Sequence, residues 1–279
     1  MKVQDQHQIK PNTQSCQTSV SDSAVFQGDC LEIMKQIPEG SIDMILCDLP
    51  YGTTACSWDI VIPFDKLWEQ YERIIKPNGA IVLFGSEPFS SHLRLSSNKF
   101  KYDWIWEKNR GTGMASAKKR PMKSHETISV FYNKTSKYFP IMEKTKSEHM
   151  INCAKKGLKR NTTTNSEHHE NMGGVYGGDF SGIIYPKTVL HFDTVNNRSK
   201  DRKLSTQKPV DLCEYLIKTY TNEGETVLDN CAGSGTTGIA CINTNRNYIL
   251  IEKEQKYFDI INERITNHTA EKRSYENAS

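Results

Sequence analysis

The sequence predicts an α/β protein built on a doubly wound, mostly parallel sheet, and three observations predict it. Apolar runs of strand length alternate with helix-spaced segments at both ends of the 279-residue chain, the pattern of a parallel sheet with helical crossovers. Two of those runs end in an acid, Asp48 and Asp229, at the strand ends where open α/β sheets present their ligands. The second acid opens a glycine loop that leads into a further helix-spaced segment.

In chain order, Ala24-Val25-Phe26 reads as a strand ending at Gly28-Asp29, where Asp29 is placed to cap the next helix. Leu31, Met34 and Ile37 share a helix face that stops at Pro38-Glu39-Gly40. The run Ile42 to Cys47 is a buried strand, ending in Asp48-Leu49-Pro50-Tyr51-Gly52. Gly52 to Pro63 is a loop carrying Trp58; Phe64 to Ile75 is an amphipathic helix (Leu67, Tyr71, Ile74) closed by Pro77-Asn78-Gly79. Ala80 to Phe84 is a buried strand, Phe89 to Ser97 a helix, and Tyr102 to Trp106 and Thr127 to Tyr132 are strands. Pro209 is well placed as a first helical residue, with Leu212, Leu216 and Tyr220 on one face. Thr226-Val227-Leu228 is a strand into Asp229, and a helix runs from about Thr236 to Asn243. Tyr248 to Ile251 is a strand ending in Glu252, and a last helix carries Phe258, Ile261 and Ile265.

Between Lys134 and Ser205 the periodicity fails. A structureless stretch that long is uncommon inside a compact core, so it reads as an inserted, partly mobile module with aromatics such as Tyr138, Phe139, Tyr176, Phe180 and Tyr185. The expected divisions are a flexible tail at 1–23, a first catalytic part at 24–133, the insert at 134–205, a ligand-binding part at 206–270, and a tail at 271–279. Met1 to Asp22 lacks an apolar stretch and is not read as a signal peptide.

Composition narrows the function classes. Mean hydropathy is −0.63 and no run of 18 apolar residues exists, so no membrane helix is expected. The eight cysteines form no C-x-x-C pair and His168-His169 lacks a ligand framework, so neither a metal site nor a disulfide scaffold is expected; a reducing cytoplasm fits. Residues 107–160 hold fourteen Lys or Arg against four acids, although the whole chain carries only +3. Such asymmetry is a footprint for a polyanion, though a solvated surface could also carry it.

The glycine loop defines a ligand. Gly233-Ser234-Gly235-Thr236-Thr237-Gly238 satisfies the G-x-G-x-x-G pattern, with Glu252 at the end of the next strand for a ribose hydroxyl. A nicotinamide dinucleotide is one reading. Asp229, however, would repel a pyrophosphate and attract an amino group, while the Ser and Thr hydroxyls suit a carboxylate at the helix amino end. A zwitterion joined to a ribose, such as S-adenosylmethionine, fits better.

Three motifs carry a family resemblance. Asp48-Leu49-Pro50-Tyr51 resembles the D/N/S-P-P-Y/F motif of amino-group (N6-adenine/N4-cytosine) DNA methyltransferases. The run Asp229 to Gly238 resembles their D-P-F-x-G-S-G-T-T cofactor loop, and Thr206-Gln207-Lys208-Pro209 matches the T-Q-K-P preceding it. Their order, catalytic motif first and cofactor loop last, is the beta-type order. Leu49 replaces the first proline, Asn230-Cys231 replaces Pro-Phe, and Leu204-Ser205 replaces a frequent His-Pro.

The resemblance implies a Rossmann-like class I methyltransferase fold, an inserted target-recognition region, and S-adenosylmethionine as cofactor. It implies Asp48, Leu49, Pro50 and Tyr51 as the catalytic set, with the Asp48 carboxylate and the Leu49 carbonyl accepting the target amine's N–H groups and Tyr51 stacking on a flipped base. Asp29, Lys208, Asp229, Cys231, Gly233, Ser234, Gly235, Thr236, Thr237 and Glu252 would hold the cofactor. Lys108, Arg110, Lys118, Lys119, Arg120 and Lys123 would meet DNA phosphates, which position rather than specify. Double-stranded DNA is the implied partner in a prokaryotic or phage-encoded cytoplasmic enzyme, and a restriction endonuclease counterpart or a homodimer is compatible. The opening Asp favours adenine N6, and cytosine N4 stays open. An RNA or protein-amide substrate is the next alternative.

Overall fold

Every residue of Ile42–Cys47 is buried, because helices cover both faces of the sheet at its centre. The computed structural model describes residues 23–53, 59–156, 159–160, 178–179, 182–196, 203–204 and 206–276. In chain order these form β1 (Ala24–Gln27), α1 (Cys30–Met34), β2 (Ile42–Cys47), α2 (Phe64–Ile74), β3 (Ile75–Gly85), α3 (Phe89–Leu95), β4 (Phe100–Thr112) and β5 (Lys123–Phe131). Next come β6 (Glu143–Lys144), α4 (Glu148–Lys155), β7 (Lys159–Arg160), β8 (Gly178–Asp179), β9 (Ile183–Ile184) and β10 (Val189–His191). The chain then builds α5 (Val210–Tyr220), β11 (Thr226–Asp229), α6 (Thr236–Asn243), β12 (Asn247–Glu252) and α7 (Gln255–Glu276).

Eight strands form the central sheet in the order β1-β12-β11-β2-β3-β5-β4-β10. All neighbours are parallel except β5, which runs antiparallel to both β3 and β4. The doubly wound α/β class expected from the sequence is therefore the class observed. Successive side chains of β2 point to opposite faces. Met44 and Leu46 pack with Leu212, Leu216 and Tyr220 of α5, while Ile45 and Cys47 pack with Leu67, Tyr71 and Ile74 of α2.

Several boundaries moved. The helix read over Leu31 to Ile37 ends at Met34, and Pro209 caps α5 rather than starting it. Pro77-Asn78-Gly79 lies within β3, where the register with β2 shifts between Ile42 and Met44. The largest difference is β10, which falls in the stretch where periodicity failed yet lies parallel to β4 at the sheet edge. Three residues are too few to show a period. The amino-terminal tail, Trp58, His168-His169, Tyr176, Phe180, Cys16 and Cys56 lie outside the described residues.

Strand order decides where the site forms. From β11 the chain turns to β12 on one side, while β2 flanks the other, so the carboxyl ends of β2 and β11 open a common crevice. A buried carboxylate locks this junction at the opposite end. Asp43 pairs with Lys76 at 2.7 Å and accepts the Thr226 N–H at 3.1 Å, tying β2 to β3 and β11.

Candidate active site

Asp48 leaves the carboxyl end of β2 into a turn held by Asp59, whose carboxylate accepts the N–H groups of Gly52 at 2.8 Å and Thr53 at 2.9 Å. Gly52 has φ +67°, and a Cβ there would stand 2.9 Å from Val61, so this turn requires glycine. The Tyr51 hydroxyl donates to Asp48 Oδ1 at 2.5 Å, and the Tyr51 ring stacks on Phe89 with centroids 4.9 Å apart. Tyr51, Val61, Phe64, Pro88, Phe89 and His92 wall a largely apolar cleft of about 380 Å³. Leu49 is 3% exposed, which gives its side chain a packing role beside any role of its carbonyl.

A buried charge network backs Asp48. Lys208, just before α5, pairs with Asp48 Oδ2, and its Nζ lies 3.4 Å from Glu126 Oε2 and 5.1 Å from the Phe84 ring centroid. The other Glu126 oxygen accepts from Lys108 at 2.5 Å, and Lys108 sits over the Trp106 ring. Burial raises the Asp48 carboxyl above its usual range, against the opposing pull of Lys208. Burial works the same way on Glu126, but there Lys208 and Lys108 prevail and hold the carboxyl below its usual range. Lys208 is driven upward by both carboxylates although burial opposes it, so it stays an ammonium.

The glycine loop follows β11. Asp229, 5% exposed, accepts the Thr237 hydroxyl at 2.6 Å and the Cys231 N–H at 3.1 Å. Burial pushes its pKa up to about 6, and among the described residues it joins no ion pair. Glu252, at the end of β12, accepts the Gly233 N–H at 2.8 Å and so braces the loop. Gly235 has φ +74° at the amino end of α6, and Ser234, Thr236 and Thr237 are all buried there. Asn230 and Cys231 replace Pro-Phe for structural reasons: Asn230 accepts the Tyr71 hydroxyl at 2.5 Å, and Cys231 packs against the cluster that holds Cys47. Asp29 caps α1 by accepting the Leu31 N–H at 3.0 Å.

The basic residues divide into two groups. Thr127 of β5 lies opposite Gly85, the last residue of β3, so the β4–β5 hairpin runs on past the carboxyl edge of the sheet. Arg110, Lys118, Lys119 and Arg120 are exposed on that overhang. Lys108 does not join them. It is turned inward onto Glu126, with 10% of its side chain exposed, and Lys123 is half-buried against the Ser86 hydroxyl. Burial lowers the Lys123 pKa. Glu126 was missed as a site residue because, read along the chain, it is one of four acids scattered among fourteen cations; its only signal is the apolar run that starts directly after it.

The DNA methylase family pattern for N6 and N4 amino groups matches residues 42–263, spanning both strand-end acids and the basic hairpin. The chain belongs to this DNA methylase family. Type II methyltransferase M.HpaI of Haemophilus parainfluenzae is 26% identical over 259 residues, covering 88% of this chain and 74% of its own length. Type II methyltransferase M1.MboII of Moraxella bovis is 26% identical over 253 residues, covering 85% and 94%. The M1.HpyAVI–SAM complex superposes with a TM-score of 0.57 at 26% identity, over 86% of this chain and 98% of that one. The cytosine-N4-specific PvuII DNA methyltransferase shares the fold, with a TM-score of 0.60 at 15% identity.

The methylase is S-adenosylmethionine-dependent, and its loop fits that cofactor. A buried carboxylate that has no cationic partner among the described residues suits the ligand's ammonium, and the hydroxyl-rich start of α6 suits its carboxylate. When bound, the cofactor supplies an electrophilic methyl group on a positively charged sulfur. What the chain supplies is the charged base of the crevice at Asp48, the aromatic cleft at Tyr51, and an exposed cationic overhang.

Proposed function

We propose that this DNA methyltransferase modifies the exocyclic N6 of adenine in a flipped-out base. The observation that carries the reading is the Asp48 carboxylate hydrogen-bonded to Tyr51 of the Tyr51–Phe89 cleft, at the end of a strand that lies beside the one leading to Asp229. The adenine amine is a poor nucleophile because its lone pair is delocalised into the ring. A carboxylate accepting one N–H and the Leu49 carbonyl accepting the other would draw the nitrogen toward tetrahedral geometry. Preorganised acceptors of this kind supply several kcal/mol, and alignment supplies more. As the N–C bond forms and the S–C bond breaks, the nitrogen gains positive charge, and its surplus proton passes to Asp48 and then to solvent. Tyr51 stacks on the base, a contact worth about 1–3 kcal/mol that offsets part of the unstacking cost.

Lys208 belongs with Asp48 as much as with the cofactor, whereas Asp229, Cys231, Gly233, Ser234, Gly235, Thr236 and Thr237 line the cofactor loop, with Glu252 and Asp29 toward the ribose and adenine. Arg110, Lys118, Lys119 and Arg120 track phosphates, and the segment 134–205 reads the target sequence. The Type II designation of the relatives supports a bacterial restriction-modification role in the cytoplasm, with an endonuclease acting on the same sequence. The reading is tested by tritiated-methyl transfer to DNA followed by nucleoside analysis: label is expected in N6-methyladenine, and label in N4-methylcytosine overturns it. Asp48→Ala is expected to abolish transfer while leaving cofactor binding nearly intact.

A further inference from the structure

Both oxygens of Asp48 are engaged, Oδ1 by the Tyr51 hydroxyl and Oδ2 by the Lys208 ammonium. Each oxygen keeps a second lone pair, but a target amine that takes the position on Oδ2 now held by Lys208 requires that ammonium to move. Lys208 cannot leave for solvent, because 10% of its side chain is exposed and an unpaired buried ammonium is costly. One alternative partner lies within reach. Glu126 Oε2 is 3.4 Å from Lys208 Nζ, is shielded from solvent, and makes no hydrogen bond. The rest of that carboxylate is fixed by Lys108, itself held over Trp106.

We propose that Glu126 is a positioning residue for methyl transfer, receiving the Lys208 ammonium when the target amine takes its place on Asp48. The inference rests on the reading of Asp48 as the amine acceptor. Two carboxylates and two ammonium groups share the site, so the handover leaves no net charge uncompensated. Lys208 already stands 5.1 Å from the Phe84 ring centroid, a cation–π contact within reach of both carboxylates. Among the described residues, the groups facing Asp48 are Lys208, Glu126, Tyr51, Asp229 and the Cys47 and Cys213 thiols; those facing Glu126 are Asp48, Lys208, Lys108, Lys123 and Tyr51.

The test is Glu126→Gln, compared with Glu126→Asp. The Gln variant leaves Lys208 committed to Asp48, so kcat should fall by at least about tenfold while the calorimetric Kd for the cofactor stays within about threefold. The acid limb of kcat/KM should move to lower pH, because the Asp48 carboxyl loses a repelling carboxylate. Glu126→Asp keeps the charge and should recover most of kcat. Wild-type kcat in Glu126→Gln overturns the proposal, as do equal losses in both variants with an unmoved acid limb. Should Glu126→Gln fail to fold, Lys208→Arg carries the test: a guanidinium fork grips both carboxylates at once, so kcat should drop with cofactor affinity kept, and wild-type kcat overturns the handover. An active Asp48→Ala variant sinks the reading of the site itself. An inactive one beside a fully active Glu126→Gln sinks only the role of Glu126.

Discussion

Replacing Asp229 by Asn should make the cofactor-free protein more stable and unable to hold its cofactor. The carboxyl is 5% exposed and its pKa is pushed from 3.8 to about 6, a gap of about 2 units that corresponds to roughly 3 kcal/mol when the group is charged. A raised carboxyl pKa favours the protonated form in the fold, so the wild type loses this stability as pH climbs from about 4 through 6. Asn is nearly isosteric and uncharged. Its Oδ1 can still accept the Cys231 N–H, while its NH₂ can donate to the Thr237 oxygen, which then gives up its own donation. That rearrangement costs about 1 kcal/mol, leaving a net gain of about 2 kcal/mol above pH 7. Thermal melting without cofactor should show a variant-minus-wild-type difference near zero at pH 4 that grows to several degrees by pH 7, at roughly 2–4 °C per kcal/mol. Calorimetry should show cofactor affinity at least about tenfold weaker, since a charge-assisted hydrogen bond to the ligand's ammonium is lost. A variant that melts below the wild type at pH 8, or binds the cofactor normally, refutes the reasoning.

Other outcomes follow from the same geometry. Changing Lys118, Lys119 and Arg120 together to Gln should weaken DNA binding on every sequence alike, lowering the slope of log affinity against log salt by about 0.9 per lost phosphate contact. An unchanged slope would remove the hairpin from the DNA interface. Gly238→Ala should destabilise the cofactor half by about 1–3 kcal/mol in a denaturant titration, because the added Cβ would stand 2.7 Å from Leu250 Cδ1 where α6 packs on β12. An unaltered midpoint would mean that α6 can shift freely.

Much of the fold was legible because its signals are local. β2, β3, β11 and β12 are buried on both faces and announce themselves as apolar runs, and the acids at their ends are visible in the same stretch. β10 was not legible, since its place in the sheet comes from pairing with β4 rather than from any period of its own. Lys108 looked like one more phosphate contact in a basic segment. Its inward turn depends on Glu126, 18 residues away and on the neighbouring strand.

The sequence by itself determined the chemistry on offer: an acid-aromatic turn, a glycine loop opened by an acid, and a cation-rich segment. These are set by residue type and by spacing over a few positions. Only the tertiary structure decided that β11 lies against β2, which brings Asp48 and Asp229 to one crevice across 180 intervening residues. It also decided that Lys208, Glu126 and Lys108 stand behind Asp48 as a buried, charge-balanced set. The reason is physical: burial and partnering set the cost and the protonation of a charge, and both depend on strand order, which no local pattern encodes.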